Sequence, residues 1–447
     1  MDIFQPLREL EKKIGRTPRV GLIGLGKTNS ALLSALLGRG YEVTVRSDAP
    51  VELAEGVRGC FSDLEYADIS EDVLLFSPSV RRDSAELSDA RRRGAIFSSD
   101  CELFFEGRPD GVFAVSGSDG KSTTCALAAA LLSDRFGEVE PACNFGTPFV
   151  SLSENRVYAV ELSSFNLQYL EPRVRRGAIT NITPNHLNWH KDMQEYTEAK
   201  LKLLRGAIEP ILCADDPLLL EYAEGKSFFA ATSRFMSEKE LSSRVDAQIY
   251  YSVAEGKVMR NGEVVMPLSD LGLSGEYNIS NLLTALAITD GYRDPLKDRE
   301  TVRGFRGLRH RASVFTDRSG RKYINSSIDT TPSRTCATLR SIGDRVGVIL
   351  GGRGKGLPLD GLCEALRTHS SAVGLYGEEG ERMLSAFAGL SVPLALFGRM
   401  EEAVDFVANA CAEDVVLSPG ATAYGLYRDF EERGCAFEEY VKNKTNT

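Results

Sequence analysis

Apolar positions along this chain fall in short runs, and most runs end in glycine or a Ser/Pro turn before a helical pattern begins. Arg19-Val20-Gly21-Leu22-Ile23 runs into Gly24-Leu25-Gly26. Ala31, Leu32, Leu33, Leu36 and Leu37 then follow at helical spacing up to Gly38 and Gly40, and Glu42-Val43-Thr44-Val45 reads as a second strand. Further strands are predicted over 72–76, 112–115, 157–162 and 179–182, with strand-then-turn units at 346–352 and 415–419. Helical patterns occupy 125–132 and 195–204; in the second, Tyr196, Ala199 and Leu203 share one stripe and Lys200 lies beside it. This alternation predicts an α/β protein with parallel sheets and ligands at the strand C-termini. The linker chemistry of 106–110 and the Gly/Arg-rich stretch at 304–307 divide the chain into three expected domains, 1–108, 109–307 and 308–447.

The segment with most chemistry is Val112-Phe-Ala-Val-Ser-Gly117-Ser118-Asp119-Gly120-Lys121-Ser122-Thr123-Thr124. A strand, a glycine-rich turn and a helix aim backbone N–H groups at an anion. Lys121 is placed to reach β/γ-phosphates and the Ser122 hydroxyl to sit on Mg²⁺. The first glycine of the general phosphate-loop pattern would fall at position 115, which is Val. The Gly24-x-Gly26 turn lacks the third glycine of a dinucleotide fingerprint, Asn29 standing there. It reads equally as a nucleotide turn or a tight strand–helix turn.

Bulk composition narrows the classes. The 447 residues are 43% hydrophobic and 26% charged, ordinary values for a soluble protein. A net charge of −10 argues against nucleic acid as a partner. The nine cysteines include no C-x-x-C pair, which fits buried thiols in a reducing compartment. No apolar leader or run of membrane-spanning length is seen, so a cytoplasmic protein without membrane attachment is expected. A monomer is expected besides.

Taken singly, Glu161 reads as a Mg²⁺ ligand or a turn cap, His186 as a hydrogen-bonded core histidine and Lys200 as a solvated helix lysine. Their wording changes this. Gly117–Thr124, Glu161-Leu162-Ser163-Ser164-Phe165 and the run from Asn181-Ile182 through His186-Leu187 to His190 stand in one order with Ala199-Lys200. Leu273–Asn281, Leu308-Arg309-His310-Arg311, Gly351–Gly356, Leu417-Ser418-Pro419 and Phe430–Gly434 follow. The series resembles the Mur ligases of peptidoglycan synthesis over almost the whole chain.

The resemblance implies a Rossmann-like N-terminal domain for the UDP substrate, a central P-loop ATPase domain and a Rossmann-like C-terminal domain for the amino acid. It implies an ATP-dependent amide ligase, using two Mg²⁺ ions, that adds D-glutamate to UDP-N-acetylmuramoyl-L-alanine through an acyl phosphate. Lys121, Glu161, His186 and Lys200 become catalytic, with Ser122, Glu161, His186 and a carbamylated Lys200 as metal ligands. Gly117, Ser118, Asp119, Gly120, Lys121, Ser122, Thr123, Asn278, Asn281 and Arg311 become ATP contacts. Gly26, Lys27, Thr28, Asn29, Asn144, Ser163, Asn166, Thr330, Lys355, Tyr424 and Phe430 become substrate contacts. The chain departs from the family where Ser326 replaces a carboxylate near the nucleotide, Asp329 adds one near the incoming amino acid, and Ala423 replaces a serine. A sibling ligase or folylpolyglutamate-type ligase, a non-catalytic nucleotide-binding protein, and a dehydrogenase built on the first glycine turn are the competing readings.

Overall fold

The structure is a computed structural model that describes residues 3–48, 50–62, 65–78, 80–106, 111–143, 147–152, 157–187, 189–273, 275–354 and 356–444, Cys143 by its backbone alone. The chain forms two compact units, Met1–Phe305 and Arg306–Thr447. The break falls in the Gly/Arg-rich stretch, while most of the expected linker at 106–110 lies outside the described residues.

The first unit holds two sheets. One is five-stranded and wholly parallel, in the order Arg58–Phe61, Val43–Ser47, Val20–Ile23, Val73–Phe76, Ile96–Ser98. Its inner strands are short and buried along their whole length, as strands covered on both faces must be. The other has nine strands. Its order is Glu263–Pro267, Lys257–Arg260, Asp246–Ala254, Ser227–Ser233, Ala207–Cys213, Val174–Ile179, Val112–Ser116, Tyr158–Glu161, Pro141–Cys143. All neighbours are parallel except the two edge pairings made by Lys257–Arg260. The helix Lys121–Phe136 and the helix Tyr277–Ile288 pack into one core with this sheet, through Leu127, Leu131, Leu282 and Leu286.

One expected strand is displaced. The sequence pattern puts it at 179–182, and the structure forms it at Val174–Ile179, with Thr180–Ile182 already in the following loop. Arg175 and Arg176 hide it. Arg176 is buried, and its guanidinium bonds Glu209 Oε2 at 2.7 Å and the carbonyls of Ile288 and Asp290. Burial lowers its pKa, against the attraction of Glu209.

The second unit is built on a six-stranded sheet, Ser313–Thr316, Lys322–Asn325, Val415–Leu417, Val346–Gly351, Ser370–Tyr376, Leu394–Phe397. It is parallel except for its first pair. Apolar clusters cover both faces, one around Leu350 and Leu366, the other around Ile349 and Val407. Among the described residues no helix is long and apolar enough to cross a membrane.

Candidate active site

The strand Val112–Ser116 lies between Tyr158–Glu161 and Val174–Ile179, so three loops meet at the C-terminal ends of adjacent parallel strands. Gly117 has φ 145° and Gly120 φ 79°. A Cβ on Gly117 would collide with Thr180 Oγ1 and one on Gly120 with Asn281 Oδ1, so both positions need glycine. The neighbouring loop grips this one. Ser118 N–H donates to the Asn181 carbonyl at 2.8 Å, and Asp119 N–H to Asn181 Oδ1 at 2.9 Å. Thr180 and Asn181 both donate to the Asp119 carbonyl. Ser118 Oγ donates to Thr183 O at 3.0 Å and lies 2.8 Å from the Tyr196 hydroxyl.

The helix Lys121–Phe136 then begins with no acidic residue in its first turn. The N–H groups of Lys121, Ser122 and Thr123 precede the first intrahelical bond, Thr124 N–H to Gly120 O at 2.9 Å. That is the geometry of an anion cradle. Lys121 Nζ folds back to the Ser118 carbonyl at 2.8 Å, over the same loop.

Glu161 is 1% exposed, in register with Val115, and Lys200 is equally buried, on the helix Met193–Gly206. Lys200 Nζ donates to the Gly117 carbonyl at 2.6 Å and lies 4.7 Å from the centre of the Tyr196 ring. Burial drives its pKa well below the usual lysine value. The nearby Lys121 charge lowers it further, and Glu161 and Asp119 oppose the shift. Lys200 is not a solvated helix lysine but a buried amine inclined to be neutral. His186 is exposed, at the turn after the loop that grips the phosphate strand. Among the described residues no three His, Cys, Asp or Glu side chains gather as a protein-only metal cage. Mg²⁺ ordinarily takes one or two carboxylates and completes its shell with phosphates and water. Ser122 and Glu161 at the mouth of an anion cradle fit that pattern.

Several expected ligand contacts have side chains that also hydrogen-bond within the protein. Asn29 is fully buried and its amide donates to the carbonyls of Ile23, Gly24 and Leu75, strapping the glycine turn from behind. Gly26, Lys27 and Thr28 remain at the surface of that turn and open the helix Lys27–Leu37. Ser163 and Asn166 form a capping box on the helix Ser164–Tyr169. Asn281 Nδ2 donates to Asn278 Oδ1 at 2.9 Å and its Oδ1 accepts from Thr124 Oγ1 at 3.2 Å, so this pair braces the cradle's helix. Asn144 and Lys355 lie outside the described residues.

In the second unit, Asp329 is held by neighbouring hydroxyls. Its carboxylate is buried and accepts from the Thr338 and Ser418 hydroxyls, both at 2.7 Å. Thr330 follows it in a partly buried loop, Phe430 gives its carbonyl to Ser327 Oγ at 2.8 Å, and Tyr424 and Arg311 are exposed. Sequence reasoning overlooked Thr180 and Tyr196. Tyr196 stands one helical turn before Lys200, and that i, i+4 spacing was the available signal.

Comparison with known proteins agrees with this geometry. Residues 115–289 match the Mur ligase middle domain family. The chain is 30% identical to a UDP-N-acetylmuramoylalanine–D-glutamate ligase of Ruminiclostridium cellulolyticum, over 97% of this chain and 98% of that one. It is 31% identical to the ligase of that name from Clostridium perfringens, with the same coverage. Among solved structures it resembles the UDP-N-acetylmuramate-alanine ligase MurC of Thermotoga maritima, with TM-score 0.59 and 18% identity, over 96% of this chain and all of that one. It also resembles MurF of Acinetobacter baumannii, with TM-score 0.54 and 14% identity, over 94% and 90%.

Proposed function

The chain belongs to the Mur ligase family, and on that premise we propose that it joins D-glutamate to UDP-N-acetylmuramoyl-L-alanine at the expense of ATP, in cytoplasmic synthesis of a peptidoglycan precursor. The observation that carries the reading is identity of 30–31% over 97% of the chain to ligases of that specificity. The glycine cradle with Lys121, Glu161 and Lys200 around it supports the chemistry. ATP would give its γ-phosphoryl group to the substrate carboxylate, leaving ADP, and the amine of D-glutamate would then displace phosphate from the acyl phosphate to form the amide; Mg²⁺ would supply positive charge against the phosphates.

The chain's own residues must hold two anions together. Lys121 and the amides of the first helical turn neutralise the phosphates, where preorganised donors in a water-poor site count most. Ser122 and Glu161 would hold one Mg²⁺; His186 and Lys200 would hold a second. Lysine offers only donors, so Lys200 serves a metal only as a carbamate, formed when its neutral amine bonds to CO₂ and releases a proton. The buried, pKa-lowered amine supports that step. Gly26, Lys27 and Thr28 receive the UDP end, Asn144 the muramoyl group, Asn278, Asn281 and Arg311 the nucleoside side of ATP, and Thr330, Lys355, Tyr424 and Phe430 the amino acid.

Phosphate release from ATP and UDP-N-acetylmuramoyl-L-alanine, screened across amino acids, tests the reading. D-glutamate is expected to be preferred; release with another amino acid in its place overturns the specificity, and no release with any overturns the activity.

A further inference from the structure

His186 has φ 54°, a backbone state that residues other than glycine seldom occupy. Its carbonyl accepts the N–H groups of Trp189 and His190, both at 3.0 Å, which closes a tight turn. The rings of Phe165, Trp189, His190 and Tyr196 fill one side of that turn, with Phe165 4.9 Å from His186 and 4.5 Å from Trp189. The turn is also held by a residue of the loop that follows the strand Val73–Phe76. Arg81 donates through Nη1 to the Trp189 carbonyl, and its guanidinium lies 5.1 Å from the centre of the indole. Its Nε and Nη2 fork onto Asp83 at 3.1 and 2.7 Å, and Nη1 lies 3.8 Å from Glu195. The loop that carries Arg81 adjoins the first glycine turn. A Cβ on Gly24 would meet Ser77 Cβ at 3.1 Å and Val80 Cγ2 at 3.2 Å.

We propose that Arg81 is a positioning residue for ligation, which transmits occupancy of the Gly24–Gly26 turn by the UDP end to the turn that presents His186. The proposal rests on His186 being a Mg²⁺ ligand and on the first glycine turn receiving the UDP end. A planar guanidinium suits the task, since one group donates to a carbonyl, stacks on an aromatic face and forks onto a carboxylate at once. Partners behind a metal ligand typically alter affinity or activity by about 10–100-fold when removed.

Trp189 is the chain's one tryptophan, so its emission reports this contact directly. Full-length wild type, Arg81→Met and Arg81→Lys are titrated with UDP-N-acetylmuramoyl-L-alanine while tryptophan emission is followed. Mn²⁺ affinity is read by electron paramagnetic resonance with β,γ-methylene-ATP present. The nucleotide-sugar is expected to shift the wild-type emission and to tighten Mn²⁺ binding. In Arg81→Met the shift collapses, Mn²⁺ binding weakens about tenfold, and kcat falls about tenfold with KM for ATP unchanged. Arg81→Lys falls between, and is the variant read if Arg81→Met does not fold. A wild-type emission that ignores the nucleotide-sugar, or an Arg81 variant that keeps both the shift and the Mn²⁺ affinity, overturns the proposal. His186→Ala with unchanged Mn²⁺ affinity would show instead that the metal assignment had failed, and the proposal would fall with it.

Discussion

At the scale of single residues, burial and hydrogen bonding compete most openly at Asp100. This carboxylate is 2% exposed, and its two oxygens accept the N–H groups of Phe149 and Val150 at 2.9 and 3.0 Å. Burial pushes its pKa up to about 7, against those two bonds. A carboxyl whose folded pKa is raised favours the folded state most at low pH, and that contribution is lost as pH rises through the folded value. Between pH 5 and 7.5 wild type should therefore lose about 2–3 kcal/mol relative to Asp100→Asn, which has no proton to exchange. The comparison must be made with this variant. His190, buried with a pKa lowered to about 4, acts in the opposite direction: its contribution is present above the unfolded value and lost as pH falls. Urea unfolding of both proteins at the two pH values checks the claim, and a constant difference would mean that the two N–H bonds keep Asp100 ionised. At Lys200 the expectation is chemical. Lys200→Ala should lose at least about 100-fold in phosphate release, as removal of a charge stabiliser does. Wild type held at mildly acidic pH without CO₂ should recover activity on addition of bicarbonate. A helix lysine of the ordinary kind would show neither effect.

At the scale of elements, the phosphate cradle is a joint product of two loops. Gly117→Ala would force Cβ into Thr180 Oγ1 at a φ that L-residues rarely adopt. Cradle and grip would then separate, and the variant should lose ATP binding by more than about tenfold while the core strands stay folded. Isothermal titration with ATP, beside a circular dichroism melt, distinguishes this from general unfolding. The cradle was legible in the sequence because its parts are local: strand, glycines, Lys-Ser and helix within about a dozen residues. The strand Val174–Ile179 was not. Its arginine pair looks exposed until Glu209 and the carbonyls of Ile288 and Asp290, all distant in sequence, are brought round Arg176. The buried side chain of Asn29 was hidden for the same reason. A short polar side chain in a motif reads as a ligand contact, and only the assembled turn shows that backbone carbonyls have claimed its amide.

At the scale of the whole molecule, two buried polar networks of the second unit close within it. Arg433 is fully buried, yet its guanidinium donates to Ser327 Oγ at 2.9 Å, Ser327 O at 2.7 Å and Ala421 O at 3.0 Å, all within the unit. Asn325 is equally buried, and its amide donates to Gly434 O, Glu438 and the ring of His310. Both faces of the six-stranded sheet carry apolar clusters drawn from the same unit. A mostly parallel sheet covered on both sides, with Arg433 and Asn325 partnered inside the same unit, has what an independent domain needs. The fragment 306–447 should therefore unfold cooperatively by itself and release no phosphate from ATP. The stronger test is quantitative. Arg433→Met strips donors from three buried acceptors and should cost about 2–4 kcal/mol. If the unit folds on its own terms, that loss is the same in the fragment as in the full chain, because mutational effects with no shared partners add. A cost in the full chain that differs from the fragment's by more than about 1 kcal/mol would mean that the first unit takes part in holding Arg433, and the autonomy of the second would be disproved.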